Sequence, residues 1–246
     1  MNHNNQMMIS AVALLAISFS SSVYPVDCAI PSSPRSREAI KRVKPTIIKE
    51  LTEKHLELGA PIFFRIFKEE MALKVWMRGK REFELFKTYP ICTYGIGGLG
   101  PKTKEGDGMA PEGFYVVTPS QLNPVSRFHL AFNLGYPNNY DRRHGRTGGA
   151  LMIHGRCLSI GCYAMTDSAI EELYALADAA MTHGQPFFRV HIFPFRMNKT
   201  NMRTHRESRW YSFRSNLKKG YDYLQTGHRI PPNVEVRGGE YVFENP

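Results

Sequence analysis

Acidic residues are in short supply in this chain. Asp and Glu number 22 against 32 Lys and Arg, which leaves a formal charge of +10. A basic surface implies an anionic partner, and nucleic acid, acidic lipid and carboxylate-rich cell wall all qualify. Cysteine is sparse as well, with Cys28, Cys92, Cys157 and Cys162 only. If Cys28 lies on a terminal arm, three remain in the domain and an odd number leaves one thiol free. No apolar run after the first two dozen residues is long enough to cross a membrane, and no internal repeat appears. The chain does not lack apolar material: 42% of its 246 residues are hydrophobic and 12% aromatic, which excludes a disordered or collagen-like protein. About 220 residues remain beyond the N-terminal stretch, a length that suits one domain with appendages.

The N-terminus reads as an export signal over residues 1–22. Ile9 to Val23 is apolar and small, too short to span a bilayer comfortably, and the Ser20-x-Ser22 pattern offers a cleavage site. The segment before it carries no Lys or Arg, which is unusual for such a signal; a retained membrane anchor is the alternative. Residues 23–60 read as a linker followed by a helix from Pro45 to Leu58, with Pro45 at its first position and Ile47, Ile48 and Leu51 on the apolar face. From Pro61 the period becomes strand-like: Ile62–Phe67, Ala72–Met77 and Glu82–Phe86 form a meander. Further strands are expected at Phe114–Val117, Phe128–Leu134, Ala150–Ile153 and Phe187–Ile192. A helix follows Thr166, with Ile170, Leu173, Tyr174, Ala177 and Met181 on one face. A second helix is expected from Asn198 to Leu224, and a hairpin around Gly238-Gly239 closes the chain. The fold class is therefore α+β, a mostly antiparallel sheet with flanking helices.

Gly95-Ile96-Gly97-Gly98-Leu99-Gly100 matches the dinucleotide fingerprint in letters only. That fingerprint needs a helix to begin inside it, and here Pro101, Gly106 and Gly108 follow without helical period. The stretch Gly95–Gly113 reads as a flexible loop. The informative segment is His154-Gly155-Arg156-Cys157-Leu158-Ser159-Ile160-Gly161-Cys162-Tyr163. A strand delivers His154 at its end, and Cys162 lies about one turn before the helix at Asp167, where helix dipole and imidazolium would both favour a thiolate. Gly161 would let a carbonyl approach the backbone, and nearby N–H groups are natural oxyanion donors. Taken singly, buried structural cysteine and histidine are the commoner case; the combination favours catalysis. His154, Cys157 and Cys162 could supply three zinc ligands, but no C-x-x-C or H-x-x-x-H pair completes a tetrahedral set, so no metal is expected.

The motif HGRCLSIGCYAM resembles that of the L,D-transpeptidase (YkuD-type) family, which reads roughly H-G and then S-x-G-C. The segments ICTYGIGGLGPKTKEGDGMAPEGFY, YPNNYDRRHG, GQPFFRVHIFPFRM and KKGYDYL are similar to its Gram-negative periplasmic branch, which includes peptidoglycan meso-diaminopimelate protein amidases. The likeness runs from about Pro61 to the C-terminus. It implies an L,D-transpeptidase-like β-sandwich over 61–246 and a cysteine acyl-enzyme mechanism. Cys162 would attack the carbonyl at the L-centre of diaminopimelate, and His154 would serve as base and then acid. It implies no cofactor, peptidoglycan stem peptides as substrate, and a wall-attached outer-membrane protein as a further partner. Many members carry His before the Gly-Cys pair and Arg two residues after the cysteine, where this chain has Ile160 and Ala164. Those departures lean towards transfer to water.

Around this pair, Gly155, Arg156, Ser159, Gly161 and Tyr163 are candidates for substrate or oxyanion contacts. Asp141, Arg142 and His144 are candidates for lining the cleft. Cys92 and Cys157 could form a disulfide that leaves Cys162 free. Between Arg196 and Lys219 eight basic residues face one acid, Glu207. That helix could dock on an anionic envelope surface, or simply be a core stripe with solvated charges. Export argues against nucleic acid. The rivals are a catalytically silent wall-binding protein and a papain-like peptidase, whose cysteine normally precedes its histidine.

Overall fold

A computed structural model of the protein describes residues 29–96, 98–225 and 231–245. The expected export signal 1–22, and the linker as far as residue 28, lie outside these.

Helix α1 (Pro34–Glu53) begins at a reciprocal cap: Ser36 N–H donates to Ser33 Oγ, and Ser33 N–H donates to Ser36 Oγ. Pro34, whose missing N–H costs nothing there, fills the first turn. The helix thus starts at Pro34 rather than at Pro45, which sits inside it with its ring exposed. An interior proline loses one helical hydrogen bond. Burial of Ala39, Ile47 and Leu51, where α1 packs on α3 (Asp167–Thr182), offsets that loss. Ile48 is exposed, so the buried stripe is narrower than the sequence suggests.

The larger sheet has the order β3-β2-β1-β9-β4. Strands β1 (Ile62–Phe67), β2 (Ala72–Arg78) and β3 (Phe83–Pro90) form the expected antiparallel meander. Strand β9 (Phe188–Phe193) enters beside β1 in parallel, and β4 (Gly113–Val117) pairs antiparallel with β9. The central strand β1 is buried along its whole length, which fits its mostly apolar sequence, broken only by Arg65. Phe64, Ile66, Val190 and Ile192 enter the main core, whereas Phe67 and Phe193 enter a second one. The smaller sheet has the order β5-β6-β7-β8: β5 (Leu122–Asn123), β6 (Ala131–Asn133), β7 (Met152–His154) and β8 (Tyr163–Ala164). The two sheets meet through Phe132, which contacts Phe64 and Phe188 and stacks on Tyr174 of α3. The architecture is α+β and mostly antiparallel, as expected.

Helix α2 (Asn139–Arg143) lies in the connection between β6 and β7. The basic segment is two helices rather than one, α4 (Lys199–Thr204) and α5 (Tyr211–Tyr223), with Trp210 capping the second. Between them Ser208 Oγ accepts the Trp210 N–H, a local turn that competes with helix. Phe213 and Leu217 of α5 pack into the second core with the closing hairpin β10 (Asn233–Arg237) and β11 (Glu240–Glu244). Much of the positive charge is answered locally. Arg196, Arg206, Lys218 and Lys219 pair with Glu70, Glu207, Asp222 and Glu240, and Arg214 is buried over the Phe195 ring. Lys199, Arg203 and Arg209 have no carboxylate partner among the described residues. No helix among the described residues is long and apolar enough to cross a membrane.

Candidate active site

Strands β7 and β8 run in parallel with Ile153 beside Tyr163 and His154 beside Ala164. Ile153 and Tyr163 enter the core, so alternation places His154 and Cys162 together on the other face, diagonal to one another. Diagonal neighbours in a strand pair lie roughly 7–8 Å apart, with their Cβ atoms somewhat closer. The Met152 N–H donates to Cys162 Sγ at 3.4 Å, and the thiol faces Ala150 O at 3.7 Å. No hydrogen bond joins Cys162 directly to His154 among the described residues. The Nδ1 of His154 contacts Gly155 O at 2.7 Å; as a donor there, it leaves the Nε2 lone pair to accept a proton.

The loop between the two strands is tightly determined. A Cβ on Gly155 would lie 2.6 Å from Asp167 Oδ1 and 3.0 Å from Phe128 O, so only glycine fits. Arg156 and Cys157 both take positive φ, at 68° and 48°, a conformation that L-residues adopt at a cost. Three contacts hold them: Arg156 N–H donates to Asp167 Oδ1 at 2.8 Å, Cys157 N–H donates to Met165 O at 3.1 Å, and Cys157 is disulfide-bonded to Cys92 with their Cα atoms 5.1 Å apart. Ser159 Oγ accepts the Gly161 N–H and donates to Cys162 O at 2.8 Å, closing the turn that presents Cys162. Gly161 N–H is thereby occupied. Nothing among the described residues accepts the Cys162 N–H, which leaves that donor for an oxyanion.

Cys162 does not sit at a helix N-terminus. Strand β8 intervenes, and Thr166 caps α3 with its own hydroxyl. Burial therefore governs the thiol and pushes it above its ordinary value, against smaller opposing effects of the Met152 N–H and the Lys102 ammonium. Burial likewise holds His154 below the usual histidine range, partly countered by Gly155 O. Both shifts disfavour a preformed thiolate–imidazolium pair.

A cavity of about 340 Å³ opens at Cys162, between Gly148–Leu151, Ile160–Gly161 and the glycine-rich segment at Ile96, Lys102 and Gly106. That segment is pinned rather than loose. Asp107 accepts hydrogen bonds from Lys102 Nζ and from the N–H groups of Thr103, Lys104 and Met109. At its base the wholly buried Lys68–Glu112 pair, 3.0 Å apart, binds Gly100 and Ala110. No helix follows the glycine fingerprint.

Several expected site residues lie elsewhere. Asp141 is fully buried, paired with Arg146 at 2.7 Å and accepting from Tyr115 Oη, so it is a structural anchor and not a cleft residue. Arg142 borders a different hollow of about 480 Å³ between β4 and β10. His144 stacks on Tyr140. The Tyr163 side chain points into the core and donates to Pro111 O, so it cannot touch substrate. Arg156 is exposed on the loop, and Gly155 is buried behind it. The sequence reading missed Lys102 and Gly148–Ala150, although the Gly-Gly pair and a lysine within the glycine-rich run were visible signals. Among the described residues no group of three His, Cys, Asp or Glu side chains could hold a metal ion.

The sequence model of the family described as "YkuD: L,D-transpeptidase catalytic domain" matches residues 63–192. A protein of Escherichia coli K12 named "Putative L,D-transpeptidase YafK" is 47% identical over 189 residues, covering 77% of this chain and 76% of its own. The protein of that name in Escherichia coli O157:H7 matches to the same extent. Among solved structures, the helical cell shape determining protein Pgp2 (K307A mutant) of Campylobacter jejuni matches with a TM-score of 0.46 and 21% identity, over 78% of this chain and 65% of that one. Bd1075 of Bdellovibrio bacteriovorus matches with a TM-score of 0.38 and 18% identity, over 68% of this chain and 58% of that one. With the family match spanning more than half of its length, and the matched domain containing both His154 and Cys162, the chain belongs to the L,D-transpeptidase family.

Proposed function

We propose that the protein is an exported, periplasmic cysteine enzyme that acts on peptidoglycan at the L-centre of meso-diaminopimelate. The observation that carries this reading is the one free thiol among the described residues, Cys162, at the floor of an open cleft and diagonal to a neutral histidine. Cys162 Sγ adds to the stem-peptide carbonyl as His154 takes the thiol proton. The C–N bond then breaks, the proton passes to the leaving amine, and a thioester remains. An amine or a water molecule activated by His154 resolves it, giving transpeptidation or hydrolysis. Hydrolysis is favoured. Ala164 is buried, and its backbone pairs with Thr93, so the site has no room for the arginine that many relatives carry there. Ile160, in place of their histidine, is exposed at the cleft rim and cannot bind or orient an acceptor amine. Release of a wall-attached outer-membrane protein fits such chemistry, and the Cys92–Cys157 disulfide suits an oxidising compartment. The three cations without partners on the α4–α5 segment would serve contact with the anionic envelope, and no role in binding nucleic acid is proposed.

The test is mass spectrometry of wall fragments incubated with the protein, beside its Cys162→Ala variant. The substrates are tetrapeptide stems and stems carrying a lysine-terminated peptide on diaminopimelate. Cysteine-dependent loss of the attached peptide without dimers establishes the hydrolase, and new cysteine-dependent dimers establish the transpeptidase. No change with any substrate rejects both in favour of a silent wall-binding protein.

A further inference from the structure

Helix α1 lies outside the stretch matched by the family, yet it reaches towards the catalytic histidine through one short segment. The sequence leads one to expect a strand over Phe128–Leu134, but β6 begins only at Ala131. The segment before it is tied to α1. Ser33 Oγ donates to Pro124 O at 2.8 Å, and Arg35 Nη1 donates to Ser126 O at 2.8 Å and to His129 O at 2.9 Å. A second set of ties comes through α3: Arg42 forks onto both carboxylate oxygens of Glu171, and Glu171 Oε1 meets His129 Nε2 at 2.7 Å. These contacts hold His129 at a φ of +72°, a left-handed conformation that a histidine does not keep without support.

Phe128 is the result of that constraint. Its carbonyl accepts the Gly155 N–H at 3.0 Å, and its ring lies 4.5 Å from the His154 ring, tilted by 35°. Phe128 is 39% exposed, so core burial alone does not explain its place. It covers one face of the His154 imidazole while its backbone fixes the loop that follows.

We propose that α1 positions the catalytic base: Arg35, with the Arg42–Glu171–His129 chain, holds residues 124–129 so that Phe128 packs on His154 and shields it from water. The role of His154 as base rests on the function proposed above; the positioning does not. Phe128 and Arg35 are positioning residues, since neither is placed against the reacting atoms. Shielding by Phe128 accords with burial as the main cause that keeps His154 neutral. The charged and titratable groups around it are Cys162 across the strand pair, Arg156 and Asp167 on the following loop and helix, and Arg127, His129 and Glu171 on the α1 side; none bonds to the imidazole.

The test follows the ring signals of His154 by NMR through a pH titration of the full chain in a Cys162→Ala background, with His183 as internal control. Phe128→Ala should move the His154 midpoint upward as water reaches the ring, and Phe128→Leu, which retains apolar cover and guards against misfolding, should move it less. Arg35→Ala should shift it in the same direction, and Arg35→Lys, with one donor restored, should recover part of the change. In the protein that retains Cys162, the acid limb of the kcat profile should follow the same order, with kcat falling roughly ten- to hundredfold and KM unchanged. His154 midpoints equal to the parent's in folded Phe128→Ala and Arg35→Ala proteins would overturn the proposal. Shifted midpoints without cysteine-dependent turnover of any stem peptide would uphold it and reject the proposed function.

Discussion

The disulfide between Cys92 and Cys157 closes a loop across a sequence separation of 65 residues. In the chain-entropy account, releasing a loop of that length removes about 4 kcal/mol from stability at 25 °C. For a domain of this size, 1 kcal/mol corresponds to about 2–4 °C, so the thermal midpoint should fall by roughly 8–16 °C. The variant to make is Cys92→Ala/Cys157→Ala in a Cys28→Ala/Cys162→Ala background, so that no remaining thiol can exchange. Urea unfolding of this variant is compared with the parent, oxidised and in dithiothreitol. The backbone contacts beside the link, Cys92 N–H to Ala164 O and Ala164 N–H to Thr93 O, survive the substitution, so the sheet edge should persist and the lost energy should come from the crosslink. With Cys162 restored, the activity proposed above should drop further than stability, because the crosslink also holds Arg156 and Cys157 at positive φ ahead of Cys162. A variant within about 1 kcal/mol of the parent, insensitive to reductant in the parent as well, would refute this account.

Three further outcomes are expected. Lys68→Met strands the Glu112 carboxylate in a site with no solvent access, so unfolding free energy should fall by about 3–5 kcal/mol; Lys68→Met/Glu112→Leu should recover part of that loss in the same urea assay. Burial pushes the Asp107 carboxyl up, but the Lys102 ammonium and three backbone N–H groups outweigh it and bring it down to about 2. Because this lies below the unfolded value, its contribution is complete above about pH 4 and is lost as pH falls towards 2; amide exchange at residues 102–109 should accelerate over that window, and Asp107→Ala should abolish the pH dependence. His191 is buried with neither ring nitrogen bonded, and burial first, then the Arg65 and Arg189 charges, hold it well below the ordinary range. The unfolded imidazole takes up its proton below about pH 6.5, so stability should decline as pH drops below that value; urea midpoints of His191→Phe should fall less between pH 7.5 and 5 than those of the parent, and equal slopes would remove His191 as the cause.

Strands β1 and β2, helix α3 and the closing hairpin were all legible in the sequence, because a two- or 3.6-residue period and a Gly-Gly turn are local signals. Local signals also misled. Pro45 looks like a helix start, but the capping interaction at Ser33 and the packing of α1 on α3 carry the helix through it. The basic segment has one continuous aromatic stripe on paper, yet the turn at Ser208 splits it. Asp141 sits in a polar run that reads as surface, but folding buries it against Arg146 and Tyr115.

The sequence by itself determined that a histidine ends a strand, that a cysteine follows eight residues later on a glycine-bearing loop, and that the surrounding motif belongs to the L,D-transpeptidase family. Only the tertiary structure decided the chemical state of that pair. Strand register put Cys162 and His154 on one face, burial raised the thiol and lowered the imidazole, and a segment anchored to a distant helix laid Phe128 over His154. The physical reason is that period and spacing are properties of neighbours along the chain. Desolvation and strand pairing depend on which distant surfaces meet.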